Sequence, residues 1–149
     1  MIPAIDLKSF LPHRTPILMV DEALSIDDNT VEAIFEIKDD NIFLDNCFMS
    51  EIGLIEHAAQ TCSAITAKSY FVDERNNSIE GVKVVGFISA LKNIQIFTLP
   101  ALGKTITTKA SLSSDYITDD YRYCTMSFRT FDLGELISEG EINLLLREY

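Results

Sequence analysis

The sequence predicts an α+β fold in which an antiparallel sheet wraps around one long central helix. A long helical pattern occurs once, from Glu51 to about Tyr70 or Val72, whereas most segments on both sides are typical of strands. The resulting order is β-β-α-β-β-β-β. Because one helix cannot cover both faces of such a sheet, we expect the sheet to curl around it. The 149 residues fit one domain, 1–149. We also expect a homodimer, in which a second subunit completes the burial.

The elements before the helix are defined by prolines and by alternation. "IPAIDLKSF" is interpreted as a short helix, which Pro12 and Pro16 prevent from continuing. Two strands follow, "ILMVDEALSI" and "TVEAIFEIK", around the turn "DDNT". The second strand is predicted to have one apolar face, formed by Val31, Ala33, Phe35 and Ile37. After a loop, Ser50 is the predicted N-cap of the helix.

The chain after the helix is almost entirely β-like. "VKVVGFISALKNIQIF" predicts a long strand with a bend near Gly86. "LPALGKT" predicts a turn, and three more strands are predicted in "TITTKASLS", "YRYCTMSFRTFD" and "LISEGEINLLLRE".

Composition excludes several classes of function. The net charge of −11 argues against a nucleic-acid partner and against binding to an anionic membrane surface. No apolar run approaches the roughly 20 residues that span a bilayer, and the N-terminus has no signal-peptide pattern, so we expect a cytoplasmic protein. The three cysteines include no C-x-x-C pair. We therefore expect no metal site and no cofactor.

The helix carries an unusual acid, Glu56, which shares a face with Ile52 and Gln60. Glu56 is the only formal charge between Ile52 and Ala67, so the helix is predicted to be buried nearly all round. A buried carboxylate without a cation can hold a proton near neutral pH and act as a general acid or base. The alternative is a carboxylate at the helix edge that reaches water or a backbone amide. Gln60, one turn later, either orients Glu56 by a hydrogen bond or simply packs.

His57 is not predicted to be a partner of Glu56, although the two are adjacent. Neighbouring helical residues point about 100° apart and do not face each other. We interpret His57 as a core or interface residue.

Three stretches together resemble a known family. "LPHRTPILMVDEALSI", "GLIEHAAQTCSA" and "VGFISALKNIQIFTLPALGKTI" are similar, in the same order, to motifs of the 3-hydroxyacyl-acyl-carrier-protein dehydratases. The resemblance implies the hotdog fold, which consists of a helix wrapped by an antiparallel sheet and is usually dimeric. It also implies that Glu56 corresponds to the family's catalytic glutamate and Gln60 to its glutamine. In the family, that glutamate pairs with a histidine of the partner subunit to remove a C2 proton and expel the C3 hydroxyl as water.

The chain departs from this family pattern just before the helix. The family histidine lies in a Gly-His-Phe-Pro motif, but the corresponding region here is "NIFLDNCFMSE", which contains no histidine. The family's Pro-Gly at the helix start aligns with Ser50-Glu51, which places a negative charge beside the expected thioester position. The chain looks closer to the divergent relatives of polyene and pigment pathways, which keep Leu-Pro-His and the helix glutamate.

Three interpretations remain open at this point. His13 of "LPHR" replaces the missing histidine and acts with Glu56. Alternatively, Glu56 activates water alone, as in hotdog thioesterases, or the protein binds acyl groups without catalysis. The candidate catalytic residues are therefore Glu56 and His13. The candidate substrate-binding residues are Gln60, Glu51, Ile52, Gly86 and Phe87.

The resemblance also implies partners. The expected substrate is an acyl thioester of acyl carrier protein or coenzyme A, bound to a homodimer or a higher oligomer. Because carrier proteins are acidic and this chain is acidic too, docking needs a local basic patch. The sequence suggests four candidate residues for it: Arg14, Lys68, Arg75 and Lys92.

Overall fold

The fold is one helix held in a curved antiparallel sheet. The computed structural model describes residues 5–9, 11–75, 77 and 79–149, and within these it contains nine strands and one α-helix. The strands are β1 (Ile5–Asp6), β2 (Glu22–Ile26), β3 (Thr30–Glu36), β4 (Leu44–Asp45), β5 (Phe48–Met49), β6 (Val84–Ile96), β7 (Thr105–Ile117), β8 (Arg122–Asp132) and β9 (Glu135–Glu148). The helix α1 spans Glu51–Phe71.

Seven strands form one sheet in the order β1-β2-β3-β7-β8-β9-β6, and every pairing is antiparallel. The strand that follows the helix, β6, crosses to the far edge of this sheet and pairs with β9. Strands β4 and β5 form a separate short hairpin directly before α1. The helix thus begins beside this hairpin and lies across β3, β7 and β8.

Apolar side chains of the sheet and the helix make the core. The alternation predicted for β3 is confirmed, because Val31, Ala33 and Phe35 are all buried. Small helix residues such as Ala58 and Ala64 are fully buried, which lets the sheet approach the helix closely. A second cluster around Met49 and Leu54 fills the space under the first turn of the helix.

The predicted central elements are confirmed, including the long helix and its end at Phe71. Ser50 is the N-cap residue as predicted, but its side chain makes no capping hydrogen bond. No helix among the described residues is long and apolar enough to cross a membrane.

Two local predictions differ from what the structure shows. Where a short N-terminal helix was expected, Ile5–Asp6 pairs with β2 and only a 3₁₀ turn, Leu7–Ser9, follows; residues 1–4 and Phe10 lie outside the described residues. The backbone groups of Ile5 and Asp6 already pair with β2, so they are not available for the hydrogen bonds of a helix. Gly86, near which a bend was expected, pairs regularly with Leu146, so the irregularity of the strand does not lie at this residue. The register of β6 shifts instead between Ile88 and Ala90 and between Lys92 and Gln95.

Candidate functional site

Glu56 and His13 meet at one edge of the helix. The His13 Nε2 atom lies 3.9 Å from Glu56 Oε1, within one chain. Both side chains are half-buried, with 30% of His13 and 24% of Glu56 exposed. Glu56 is therefore not enclosed as the apolar helix pattern predicted. It lies on the face of α1 that opens toward the free edge of the sheet, and this leaves it accessible to a small molecule.

Gln60 orients the carboxylate. Its Nε2 donates to Glu56 Oε1 over 2.8 Å and to the Ile17 carbonyl over 2.9 Å, while its Oε1 accepts from the Met19 N–H over 2.7 Å. The bond to the Met19 N–H fixes which amide atom is oxygen. Since Gln60 is buried and both its oxygen and its nitrogen are bonded, it holds Glu56 in one rotamer. The hydrogen bond anticipated from the i, i+4 spacing is thus present.

The segment that carries His13 is a compact turn. Its Arg14 carbonyl accepts from the N–H groups of Ile17 and Leu18, over 3.0 and 3.1 Å. The Arg14 guanidinium donates to the carbonyls of Leu11 and His13, over 2.8 and 2.7 Å. Arg14 therefore braces this turn through backbone carbonyls.

The two nitrogens of the His13 ring have different surroundings. Nε2 faces Glu56, whereas Nδ1 is buried and lacks a hydrogen-bond partner among the described residues. Burial lowers the pKa of His13 from its usual value; the Glu56 charge raises that pKa and the Arg14 charge lowers it further. A lowered pKa favours the neutral imidazole near neutral pH, and a neutral imidazole can accept a proton.

Glu56 and His13 lie at the wall of an apolar cavity of about 420 Å³ between α1 and the β6–β9 edge. The helix contributes small side chains, Ala59, Ser63 and Ala67, one turn after another. Phe71 and Tyr149 line it as well. Along the helix axis, Glu56 and Phe71 are about 22 Å apart at 1.5 Å per residue. The cavity therefore offers an apolar trough that starts at the acid.

The predicted substrate-binding residues divide into two groups. Gln60, Gly86 and Phe87 line the cavity. Glu51 and Ile52 are not among the residues that line the cavity. Both are exposed, and the exposed fraction of Ile52 is 67%. Ile52 precedes Glu56 by one helical turn, about 6 Å along the axis. It therefore projects beyond the cavity in this single chain.

His57 belongs to the core, as predicted. The ring is fully buried between the Met19 carbonyl, 2.6 Å from Nδ1, and the Thr108 hydroxyl, 2.8 Å from Nε2. It also stacks on Phe35 with ring centroids 5.9 Å apart. Burial lowers the pKa of His57 to about 4, so the ring is neutral at pH 7.

The hairpin before the helix replaces the stretch in which the dehydratase family carries its histidine. Asn46 and Cys47 form its turn with positive φ angles of 50° and 67°, and Cys47 is exposed. Several lining residues were missed from sequence, among them Leu11, Phe71, Leu144 and Tyr149. Their apolar character was visible, but nothing in the sequence shows that the two ends of the chain meet beside the helix.

A central helix with Glu56 on its open face, a curved sheet around it and an apolar trough between them define a hotdog-fold protein. The structure is similar to the dehydratase heterocomplex ApeI:P from Xenorhabdus doucetiae, with a TM-score of 0.76 and 15% identity over 94% of this chain and 90% of that chain. The uncharacterized protein PH1136 from Pyrococcus horikoshii matches with a TM-score of 0.63 and 15% identity, covering 97% and 93%. A hypothetical thioesterase from Streptococcus pneumoniae, solved with coenzyme A, matches with a TM-score of 0.57 and 11% identity over 84% of each chain.

The family is shown by sequence as well. The model of the ApeP-like family, described as ApeP dehydratase, matches residues 5–117. No curated protein sequence gives a match. This chain belongs to the ApeP-like dehydratase family.

Proposed function

We propose that the protein is a dehydratase of 3-hydroxyacyl thioesters in which His13 and Glu56 act as the acid–base pair. One observation carries the proposal: the His13 Nε2 atom lies 3.9 Å from Glu56 Oε1 at the wall of an apolar cavity. This distance is longer than a hydrogen bond, and such contacts often tighten only when substrate binds. The family membership agrees with this reaction class.

The two groups suit the two proton transfers of a dehydration. Neutral His13 takes the C2 proton through Nε2, and the electrons of the C2–H bond form the C2–C3 double bond. The proton then passes from His13 to the Glu56 carboxylate and from there to the C3 hydroxyl. The hydroxyl leaves as water with the electrons of the C3–O bond, and both groups return to their starting state. Gln60 keeps the carboxyl oriented throughout, because it is bonded to Glu56 and to two backbone groups.

The experiment compares Glu56→Gln with Glu135→Gln, a matched control at an exposed glutamate outside the cavity lining. Glutamine keeps an oxygen that can accept from Gln60, so the fold should survive. We expect Glu56→Gln and His13→Gln each to slow water loss by about 10²–10⁴-fold, the usual worth of a general acid or base. Glu135→Gln should retain the wild-type rate. Formation of the enoyl thioester from coenzyme A and carrier-protein substrates is followed optically.

Other outcomes would identify the two other functions. Release of free thiol without enoyl product would indicate a thioesterase, for which Glu56 alone activates water. Thermal stabilisation by acyl thioesters without turnover would indicate an acyl-binding module. If His13→Gln keeps the wild-type dehydration rate, His13 is not the partner of Glu56.

We also propose where the substrate's carrier lies. A groove of about 410 Å³ adjoins the cavity and shares Leu11, Phe71 and Tyr149 with it. Three exposed basic residues, Lys8, Arg14 and Lys83, line this groove. Of the four basic residues suggested from sequence, only Arg14 lines this groove. Lys68, for example, is placed elsewhere, with its Nζ 3.9 Å from Asp28 Oδ1. In a chain of net charge −11, this basic cluster suits the phosphate of a phosphopantetheine arm.

Reversing two of these charges tests the carrier proposal. Lys8→Glu with Lys83→Glu should raise KM several-fold at low salt and change kcat little, because the groove lies beside the reacting groups and not among them. The effect should shrink at high ionic strength. Lys104→Glu, an exposed lysine outside the groove, serves as the control. An unchanged KM for both coenzyme A and carrier-protein substrates would contradict the proposal.

The assembly is part of the same proposal. Strand β6 lies at the edge of the sheet, and exposed apolar side chains occur along it, including Phe87, Ile88 and Leu91. Because the cavity opens at this edge, a second hotdog subunit pairing there would cover it. We propose a homodimer. Since the structurally similar ApeI:P is a heterocomplex, a different hotdog subunit is the alternative partner to test.

A further inference from the structure

His57 and Gln60 lie one helical turn apart on α1, and both form hydrogen bonds with Met19, which belongs to another segment. The Met19 N–H donates to Gln60 Oε1 over 2.7 Å, and the Met19 carbonyl accepts from His57 Nδ1 over 2.6 Å. Both polar groups of one peptide segment are therefore fixed by side chains of the helix that carries Glu56. Gln60 also holds the Ile17 carbonyl. The segment from residue 17 to 19 is thus tied to α1 by three hydrogen bonds.

The hydrogens in this arrangement follow from the chemistry of the partners. A carbonyl oxygen only accepts, so His57 Nδ1 must carry the proton, and Nε2 must accept from the Thr108 hydroxyl. Thr108 Oγ1 in turn accepts from Thr130 Oγ1 over 2.6 Å. Thr130, Thr108, His57 and Met19 form one directed chain from the sheet to the turn. The Met19 carbonyl thereby sets the tautomer of the His57 ring, and the Thr108 hydroxyl of the sheet helps to fix its angle.

His13 is rigidly connected to the clamped segment. Only three residues separate His13 from Ile17, and the Arg14 carbonyl closes them into a turn. Arg14 also braces the carbonyls of Leu11 and His13. A shift of Met19 is therefore passed to His13, whereas His57 itself stays outside the cavity lining.

We propose that His57 is a positioning residue, which holds the Met19 carbonyl and thereby keeps the turn of His13 in register with Glu56. The proposal rests on the proposed function for its kinetic consequences, but the geometry it describes can be measured without turnover. A purely structural role is the competing account, since His57 also stacks on Phe35 and fills the core.

Two substitutions separate the two contacts of the ring. In His57→Asn the amide nitrogen stands near the place of Nδ1 and can still donate to Met19. In His57→Gln the amide reaches the place of Nε2 and can pair with Thr108, but the Met19 carbonyl loses its donor. Each variant leaves one buried group unpaired, so both should lose stability to a similar extent. The positioning role predicts that they differ in activity, whereas a packing role predicts that they do not.

The kinetic expectation is a change in kcat rather than in KM. His57→Gln should lower kcat by about 10- to 100-fold, because a displacement on the order of 1 Å between reacting groups costs that much. KM should stay near the wild-type value, since the cavity lining is intact. His57→Asn should keep most of the wild-type kcat.

The second readout needs no substrate. The chain has two histidines, so His13 is the only one left in either variant and its ring signal in NMR is unambiguous. The Glu56 charge raises the pKa of His13, and the Arg14 charge opposes it. Adding Glu56→Gln should therefore lower the measured pKa of His13 in the wild-type and His57→Asn backgrounds. In the His57→Gln background this shift should fall to half or less, because His13 has moved away from Glu56.

The outcomes are decisive in both directions. Equal kcat values and equal pKa shifts in the two folded variants would overturn the proposal and leave His57 as a core residue. A missing dehydratase activity would overturn the proposed function alone, because the NMR shift is read without turnover. If neither variant folds, Thr108→Val removes the hydroxyl that orients the ring at nearly constant volume. An unchanged Glu56-dependent pKa shift of His13 in Thr108→Val would then overturn the proposal.

Discussion

At the scale of single residues, the site depends on an amide rather than on a cation. Gln60 bonds to Glu56 and to the backbone of two residues of the neighbouring segment. A buried lysine or arginine at this position would instead stabilise the ionised carboxylate and reduce its value as a proton donor. In the proposed mechanism, orientation by a neutral group leaves Glu56 free to exchange a proton with His13.

The buried ring of His57 has a consequence for stability. Its pKa is about 4 in the folded protein, against 6.5 in a model peptide. Between these values the unfolded chain binds a proton that the folded chain does not, so the free energy of unfolding falls as the pH falls. The expected slope is about 1.4 kcal/mol per pH unit from pH 6.5 toward 4, and the contribution is constant above pH 6.5. Urea unfolding at pH 5, 6, 7 and 8 measures it.

The control for this prediction is His57→Asn, which lacks a titrating group at position 57. His13 has a lowered pKa as well and contributes in the same direction, so the difference between the wild type and the variant isolates His57. If both proteins lose stability equally between pH 6.5 and 5, His57 is not the source of the acid sensitivity.

Sequence reasoning reached Glu56 and Gln60 because helical spacing places residues i and i+4 on one face. It reached His13 only through the family resemblance. The contact between His13 and Glu56 joins residues 43 positions apart, and it depends on the turn closed by Arg14 and on the clamp at Met19. These are backbone contacts, which side-chain patterns do not reveal.

At the scale of elements, the first turn of α1 is fitted closely to the hairpin beneath it. A Cβ atom built at Gly53 would stand 2.6 Å from Met49 Cγ and 2.7 Å from Phe43 Cβ. Helix propensity alone predicts that Gly53→Ala stabilises the protein by about 1 kcal/mol. We expect the opposite, a loss of about 1–3 kcal/mol, because the buried side chains below must move.

Chemical unfolding of Gly53→Ala and Gly86→Ala checks this prediction. At Gly86 a new Cβ would have Leu146 Cγ at 3.9 Å as its nearest neighbour, an ordinary contact. Gly86→Ala should therefore change stability little. If Gly53→Ala were more stable than the wild type, the side chains beneath the helix would have moved at little cost, which would contradict the prediction.

The elements differ in how well the sequence defines them. Strand β3 was predictable because it is buried on one face only, so its side chains alternate. The register shifts in β6 were not predictable, because the exposed positions of this strand include both apolar and polar residues. Asn93 has a positive φ of 54° and lies at one of these register shifts, but its residue type alone did not predict the shift.

At the scale of the whole molecule, the proposed homodimer explains why apolar side chains remain exposed on a chain that is otherwise strongly acidic. Leu91 of the edge strand β6 is 44% exposed. A stable dimer needs about 800 Å² of buried surface on each subunit, and β6 offers 13 residues of edge strand toward it. The sequence leads to the expectation of a partner but does not indicate the edge at which it would pair.

Leu91→Glu tests this edge directly. A carboxylate from each subunit would face the seam, so we expect the variant to shift toward the monomer in light scattering coupled to gel filtration. Leu133→Glu is the control, because Leu133 is 88% exposed in the turn between β8 and β9. If the dimer also covers the cavity, Leu91→Glu should weaken acyl-thioester binding. The binding should recover at protein concentrations that restore the dimer. A wild-type protein that stays monomeric at all concentrations, and dimerises only with a second hotdog subunit, would replace the homodimer with a heterodimer at the same edge.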